Sequence, residues 1–177
     1  WYANYGESFA LNSGMDRNGD VFNPEKGKSY EIGGKYRITS QSLLSLALFK
    51  MDKENVLTTD PTDSNYQITA GEVSSKGLEV DLETQLNDQF SIRANYSYTD
   101  AQVEKDQSLA KGSRLSNVPK HSGSVSSNYE WNLANADKVG LGATAIYVGK
   151  RSGHSTDNGF NLPEYTLLNL NAYYAPT

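Results

Sequence analysis

Two-residue alternation, broken at intervals by turn-forming residues, is the feature that most narrows what this chain can fold into. Leu78, Val80, Leu82, Thr84 and Leu86 alternate with Glu79, Asp81, Glu83 and Gln85. Phe90, Ile92, Ala94, Tyr96 and Tyr98 alternate with Ser91, Arg93, Asn95, Ser97 and Thr99. Tyr30, Ile32, Gly34 and Tyr36 stand against Glu31, Gly33, Lys35 and Arg37, and Val125, Ser127, Tyr129 and Trp131 against Ser124, Ser126, Asn128 and Glu130. Val139, Leu141, Ala143, Ala145 and Tyr147 share a further face. This period, bounded by Gly, Asn, Asp and Ser, predicts strands with one apolar and one polar face. Eight are expected, over about 1–9, 28–38, 42–58, 69–86, 90–104, 118–131, 138–151 and 163–175. The third is ambiguous, because Leu44, Leu46 and Leu48 oppose Ser45, Ala47 and Phe49. Helix signals are scarce, so the expected fold class is all-β.

Connection lengths give the architecture. They run long at 10–27, 59–68, 105–117 and 152–162, and short at 39–41, 87–89 and 132–137. Strict long–short alternation is the habit of outer-membrane barrels, with short periplasmic turns and longer outer loops. A Greek-key sandwich has no reason for it. Tyr36, Phe90 and Trp131 fall beside short turns, whereas Tyr30, Tyr98 and Tyr147 fall nearer long loops. Two aromatic levels around a band of Leu, Val, Ile and Ala are what two bilayer interfaces select. Several segments also reach the ~9–11 residues that a tilted strand needs to cross a bilayer. The reading is an antiparallel up-and-down meander of about eight strands with one face to lipid. Glu79, Asp81, Glu83 and Arg93 then face a lumen, and a short turn at 87–89 sets Glu83 opposite Arg93.

Composition is compatible with this. Hydrophobic residues are only 37 % of the 177 and mean hydropathy is −0.63, but aromatics reach 11 %. A strand that is apolar on alternate residues leaves a weak hydropathy signal. No run of ~18 apolar residues predicts a transmembrane helix. There is no cysteine, which excludes disulfides and thiolate metal sites. The net charge of −5 gives no footprint for nucleic acid, so none is expected as a partner.

Chemical motifs are thin. Asp16-Arg17-Asn18-Gly19-Asp20 begins like a calcium loop, but Val21 and Gly27 stand where that loop requires Gly and Glu. His121 and His154 are far apart and lack zinc-ligand spacing. His154, Ser155 and Asp157 sit too close along one loop for triad geometry. Glu79, Asp81 and Glu83 would suit acid–base chemistry, but a charged lumen wall requires less. Asn95-Tyr96-Ser97 matches a glycosylation sequon in mid-strand. No catalytic residue, metal site or resident cofactor is expected, and the chain is not read as an enzyme.

A series of phrases adds a resemblance. Trp1-Tyr2-Ala3-Asn4-Tyr5-Gly6-Glu7-Ser8-Phe9 resembles the "YASYSESF" strand of TonB-dependent siderophore receptors, especially the ferric-hydroxamate type. Pro24-Glu25-Lys26-Gly27 with Tyr30-Glu31-Ile32-Gly33, Leu46-Ala47-Leu48-Phe49 with Asn55-Val56, and Gly71-Glu72 with Ser75-Lys76-Gly77-Leu78-Glu79 are similar to its following motifs. Tyr98-Thr99-Asp100-Ala101, Asn117-Val118-Pro119-Lys120-His121, Gly149, Arg151 and Leu162-Pro163 with Tyr165 continue the series in order.

The resemblance implies that residues 1–177 are a segment of a 22-stranded transmembrane β-barrel in the bacterial outer membrane, about the thirteenth to twentieth strands. The signal peptide, TonB box, plug domain and last strands would lie outside it. The implied function is TonB-dependent uptake of a ferric siderophore, with iron present only as that cargo. The implied partners are the siderophore, TonB acting through the plug, and outer-membrane lipid and lipopolysaccharide. Family ligand sites use plug aromatics and the outer side of the barrel wall. By chemistry alone, Phe22, Tyr66, His154 and Phe160 on the long loops are the ligand candidates here, set against the plainer expectation that loop aromatics pack on neighbouring loops. Two other readings stay open: an autonomous eight-stranded outer-membrane barrel with a structural or adhesive role, and a soluble β-sandwich binding module.

Overall fold

A computed structural model describes residues 1–60, 62–106, 109–134, 137–153 and 160–176. Eight long strands form one antiparallel sheet: β1 (Tyr2–Ala10), β2 (Glu25–Thr39), β3 (Ser42–Thr59), β4 (Gln67–Gln85), β5 (Phe90–Lys105), β6 (His121–Asn132), β7 (Lys138–Val148) and β10 (Tyr165–Ala175). Each pairs with its neighbour in sequence, so the sheet is a meander without crossovers. β1 and β10 are both edges, so the eight strands do not close on themselves. An autonomous eight-stranded barrel would need that missing ladder. A sandwich would need a second facing sheet, and the other described ladder is the two-residue pair of β8 (Arg151–Ser152) and β9 (Asn161–Leu162) within the last long connection.

That small ladder explains why β7 stops at Val148 and β10 starts at Tyr165, inside the expected limits: the chain turns off the sheet to form its own hairpin. β6 begins at His121, past Pro119, a residue that lacks the N–H a ladder needs. β2 starts earlier than expected, at Glu25, whose carboxylate meets Lys53 Nζ at 2.8 Å on β3. The short turns are tight. At 87–90, Asn87 Oδ1 accepts from the backbone N–H of Gln89 and Phe90, both at 2.9 Å.

Register settles the faces. Leu44, Leu46 and Leu48 lie directly opposite Leu82, Val80 and Leu78, and these opposite Ala94, Tyr96 and Tyr98. The row continues through Val125 and Ala145 to Leu168. The other side of the same strands carries Ser45, Asp81, Asn95 and Ser124. β3 is resolved by glycine: Phe49 lies on the polar side because Gly77, directly opposite, leaves its ring room. A Cβ at Gly77 would stand 2.6 Å from Phe49 Cζ. Tyr2 over Gly33 and Tyr173 over Gly140 repeat the device.

The closely packed part of the molecule is at the long-loop end, not beneath the apolar band. Ala101 and Val103 are 7 % and 2 % exposed. The connection after β5 folds back onto their strand, with Val103 N–H to Ser113 O at 2.8 Å and Leu115 N–H to Ala101 O at 3.1 Å. By contrast Ile32, Leu48, Leu168 and Leu170 are 58, 56, 68 and 75 % exposed.

Candidate functional site

Three surfaces carry the chemistry. The first is the polar face, where one depression draws Glu83, Arg93, Ser126, Thr144 and Asn171 from five strands. Glu79, Asp81 and Glu83 share this face on β4, with Arg93 directly opposite Glu83 and its Nε 2.9 Å from Glu83 Oε1. Such a cross-strand pair contributes roughly 0.2–1 kcal/mol. Hydroxyl and amide ladders tie the rest of the wall, Ser126 Oγ to Thr144 Oγ1 at 2.9 Å and Asn95 Nδ2 to Ser124 Oγ at 2.7 Å. Among the described residues no group of three His, Cys, Asp or Glu side chains is arranged to hold a metal ion.

The second surface is the cluster of long connections. Residues 11–24 are fastened to the outer end of β3 and to the connection after it. Asn12 Nδ2 donates to Asn55 O at 2.9 Å, and Asn55 Nδ2 to Pro24 O at 3.0 Å. Asn55 sits at a bulge with φ of 59°, a left-handed geometry that Asn tolerates better than most side chains. Arg17 Nε lies 3.5 Å from Asp60 Oδ2, whose side chain is 4 % exposed. Asp60 Oδ1 also accepts from Thr62 N at 2.8 Å and Thr62 Oγ1 at 2.6 Å. The Thr62 hydroxyl and then its N–H hold the Asp60 carboxyl below its ordinary pKa, with Arg17 adding to the effect and burial opposing it. Elsewhere, Arg151 Nε donates to Asn117 Oδ1 at 2.7 Å and its guanidinium lies 5.4 Å from the Tyr165 ring centre.

The third surface is the apolar face, bounded at both ends by rings. Phe90, Tyr129, Trp131 and Tyr174 lie toward the short turns, with Tyr129 and Trp131 4.5 Å apart. Tyr5, Tyr30, Tyr98, His121 and Tyr147 lie toward the long loops, Tyr5 and Tyr30 at 5.1 Å and Tyr98 and His121 at 5.3 Å.

The loop candidates are dispersed. Phe22 is half-buried within its own loop, where a Cβ at Gly14 would lie 3.3 Å from its ring. Tyr66 is exposed, its backbone bonded to Asp60 and Asp63. Phe160 lies across Gly153, whose N–H donates to Phe160 O at 3.0 Å. His154 lies outside the described residues. The Asp16 loop is a self-contained turn: Asp16 Oδ1 accepts from Asn18 N at 2.8 Å and Asp20 N at 3.0 Å, so the carboxylate serves the backbone. Sequence reading missed the Arg17–Asp60 contact. The Asp60-Pro61-Thr62-Asp63 stretch signals a turn, but nothing local in it names a partner more than forty residues away.

The fold and its three surfaces define a class, the wall of an outer-membrane receptor barrel. Comparison with known proteins agrees. The family model described as "TonB dependent receptor-like, beta-barrel" matches residues 1–177, and the chain belongs to that family. It is 45 % identical over 174 residues to the metal-pseudopaline receptor of Pseudomonas aeruginosa, covering 98 % of this chain and 25 % of the relative. To the ferrichrome outer membrane transporter/phage receptor of Escherichia coli it is 30 % identical, covering 98 % and 23 %. The siderophore receptor PiuA of Acinetobacter baumannii matches in structure with a TM-score of 0.78 at 26 % identity, over 97 % of this chain and 27 % of that one. The chain thus spans about a quarter of the length of the curated relatives it matches.

Proposed function

We propose that the receptor to which this chain contributes takes up a ferric siderophore across the bacterial outer membrane, energised by TonB. The observation that carries this is the similarity, over 98 % of the chain, to receptors and transporters for metal chelates. In this reading the apolar face meets lipid, and Glu79, Asp81, Glu83 and Arg93 face the lumen, where water keeps charges inexpensive. The long loops stand outside the cell, and Phe22, Tyr66, His154 and Phe160 are the side chains there that would contact a chelate. The chain supplies wall and loops; recognition and passage are its work rather than bond-making chemistry. Iron is cargo, and no resident cofactor is required.

One observation bears on the cargo. Identity is higher to the metal-pseudopaline receptor, 45 %, than to the ferrichrome transporter, 30 %, which favours a chelate like the former's over ferrichrome. The test is radioiron uptake in a host lacking the gene for this receptor, with and without complementation and with and without TonB. Uptake of one chelate class should need both receptor and TonB. Uptake unaffected by loss of either would overturn the proposal.

A further inference from the structure

We infer that Asn18 is a site of spontaneous chemical modification. The Gly19 nitrogen displaces its side-chain amide, a carboxylate takes the amide's place, and the long connection after β1 is untied from the one after β3.

The turn sets up the reactants. Residues 16–19 form a β-turn closed by Gly19 N–H to Asp16 O at 3.1 Å, beneath a bridge between Met15 and Val21. Gly19 has φ of 85°, a geometry that costs glycine least, so the turn itself keeps a glycine after Asn18. Gly19 has no Cβ to crowd its nitrogen, and the space a Cβ would take is open to 4 Å. Asn18 and Gly19 are both exposed, so water and hydroxide reach them.

The Asn18 amide is also weakly held. Its Nδ2 lies 3.3 Å from Asp16 Oδ2, beyond the usual ~2.7–3.2 Å of an N–H···O bond. Asn12, which precedes the small Ser13, is the contrast. Its amide donates to Asn23 O at 2.7 Å and to Asn55 O at 2.9 Å, so it is not free to turn on its own backbone. The sequence's other Asn-Gly pair, Asn158-Gly159, lies outside the described residues.

The step needs only water. Hydroxide removes the Gly19 N–H proton, and the nitrogen bonds to Asn18 Cγ. The Cγ–Nδ2 bond breaks, and Nδ2 leaves as ammonia with a proton taken from water. A second water opens the cyclic imide. Addition at Cγ gives aspartate. Addition at the main-chain carbonyl carbon gives isoaspartate, whose backbone runs through the side chain. Nothing is oxidised or reduced.

Either product disturbs the loop. The new carboxylate stands beside Asp16, whose Oδ1 already accepts from Asn18 N at 2.8 Å and Asp20 N at 3.0 Å. Like charges that close repel. Isoaspartate also lengthens the main chain inside the turn, so Gly19 N–H no longer meets Asp16 O. Arg17 is drawn toward the new charge and away from Asp60 and Thr62, its partners in the connection after β3.

The experiment ages the detergent-purified receptor at mildly alkaline pH and maps its peptides by mass spectrometry, with an isoaspartate-specific methyltransferase marking the rerouted product. The Asn18 peptide should lose its amide at a rate proportional to hydroxide concentration, and before the Asn12 peptide does. Asn18→Gln, which must close a larger ring, should keep its amide through the same incubation. A spin label at position 21 should loosen as Asn18 converts, be loose from the start in Asn18→Asp, and stay immobile in aged Asn18→Gln. An Asn18 peptide that keeps its amide while Asn12 loses its own overturns the site. A label that stays immobile in Asn18→Asp, or loosens equally in aged Asn18→Gln, overturns the untying. Cargo uptake enters neither readout, so these failures are distinct from failure of the transport reading.

Discussion

Asp60 shows how one residue ties two outer loops together. Its carboxylate is buried, accepts two hydrogen bonds from Thr62 and faces Arg17. Those contacts favour the charged form, so its pKa is lowered in the folded state. A lowered carboxylate pKa adds stability that is fully present above the unfolded value and lost as pH falls through the folded one. The loop contact should therefore persist through the ordinary carboxylate range and fail only at more acidic pH. A spin label at position 18 should stay immobile from neutral pH down through that range, then loosen. Asp60→Asn should loosen it at every pH, because the amide cannot attract Arg17. A label equally immobile in the variant would show that Asn12 and Asn55 suffice to hold the loop.

At the scale of elements, the faces of β4 and β5 were legible because each strand alternates cleanly, and the Glu83–Arg93 pairing followed from counting across a short turn. β3 was not legible, since Leu43, Ala47 and Phe49 make its polar side apolar too. Its register depends on Gly77 in another strand, and a strand's own sequence does not contain its neighbour's shape. The β8–β9 hairpin escaped for a similar reason: two residues are too few for a period. The loop contacts escaped because they join residues forty apart through side chains that would serve any polar loop. Gly77 offers a test. A Cβ there would stand 2.1 Å from Tyr98 O as well as 2.6 Å from Phe49 Cζ. Gly77→Ala should cost about 1–3 kcal/mol, as overpacking does. Gly34→Ala, with nothing within 4 Å of the added atom, should be near neutral. Adding Phe49→Ala should not rescue Gly77→Ala, because the Tyr98 carbonyl remains. Urea titration of the reconstituted receptor measures all three, and full rescue would show that the ring alone dictates glycine.

For the whole molecule, the open sheet and the two-faced surface lead to one expectation about these 177 residues on their own. β1 and β10 each leave a row of backbone N–H and C=O groups without a strand partner. Such edges are templates for pairing with another chain. In hydrocarbon each unsatisfied group costs several kcal/mol, so lipid gives no refuge to the open form. The apolar face adds a second drive. Tyr36, Leu46, Leu48, Val125, Leu168 and Leu170 are all at least 45 % exposed, and they lie across strands from β2 to β10. Soluble monomers rarely leave contiguous apolar patches larger than a few hundred Å². Low mean hydropathy does not oppose this, because it averages a face meant for lipid with one meant for water. Closing β1 onto β10 would remove the edges but requires the strands to adopt the shear of a much narrower ring. The isolated chain should therefore self-associate in water through edges and apolar face together. Analytical ultracentrifugation without detergent measures it. Broad, concentration-dependent sedimentation is the expected outcome. A sharp species near 19.5 kDa with cooperative thermal unfolding would mean that the apolar face is buried within one molecule, and the receptor-wall reading of that face would fall.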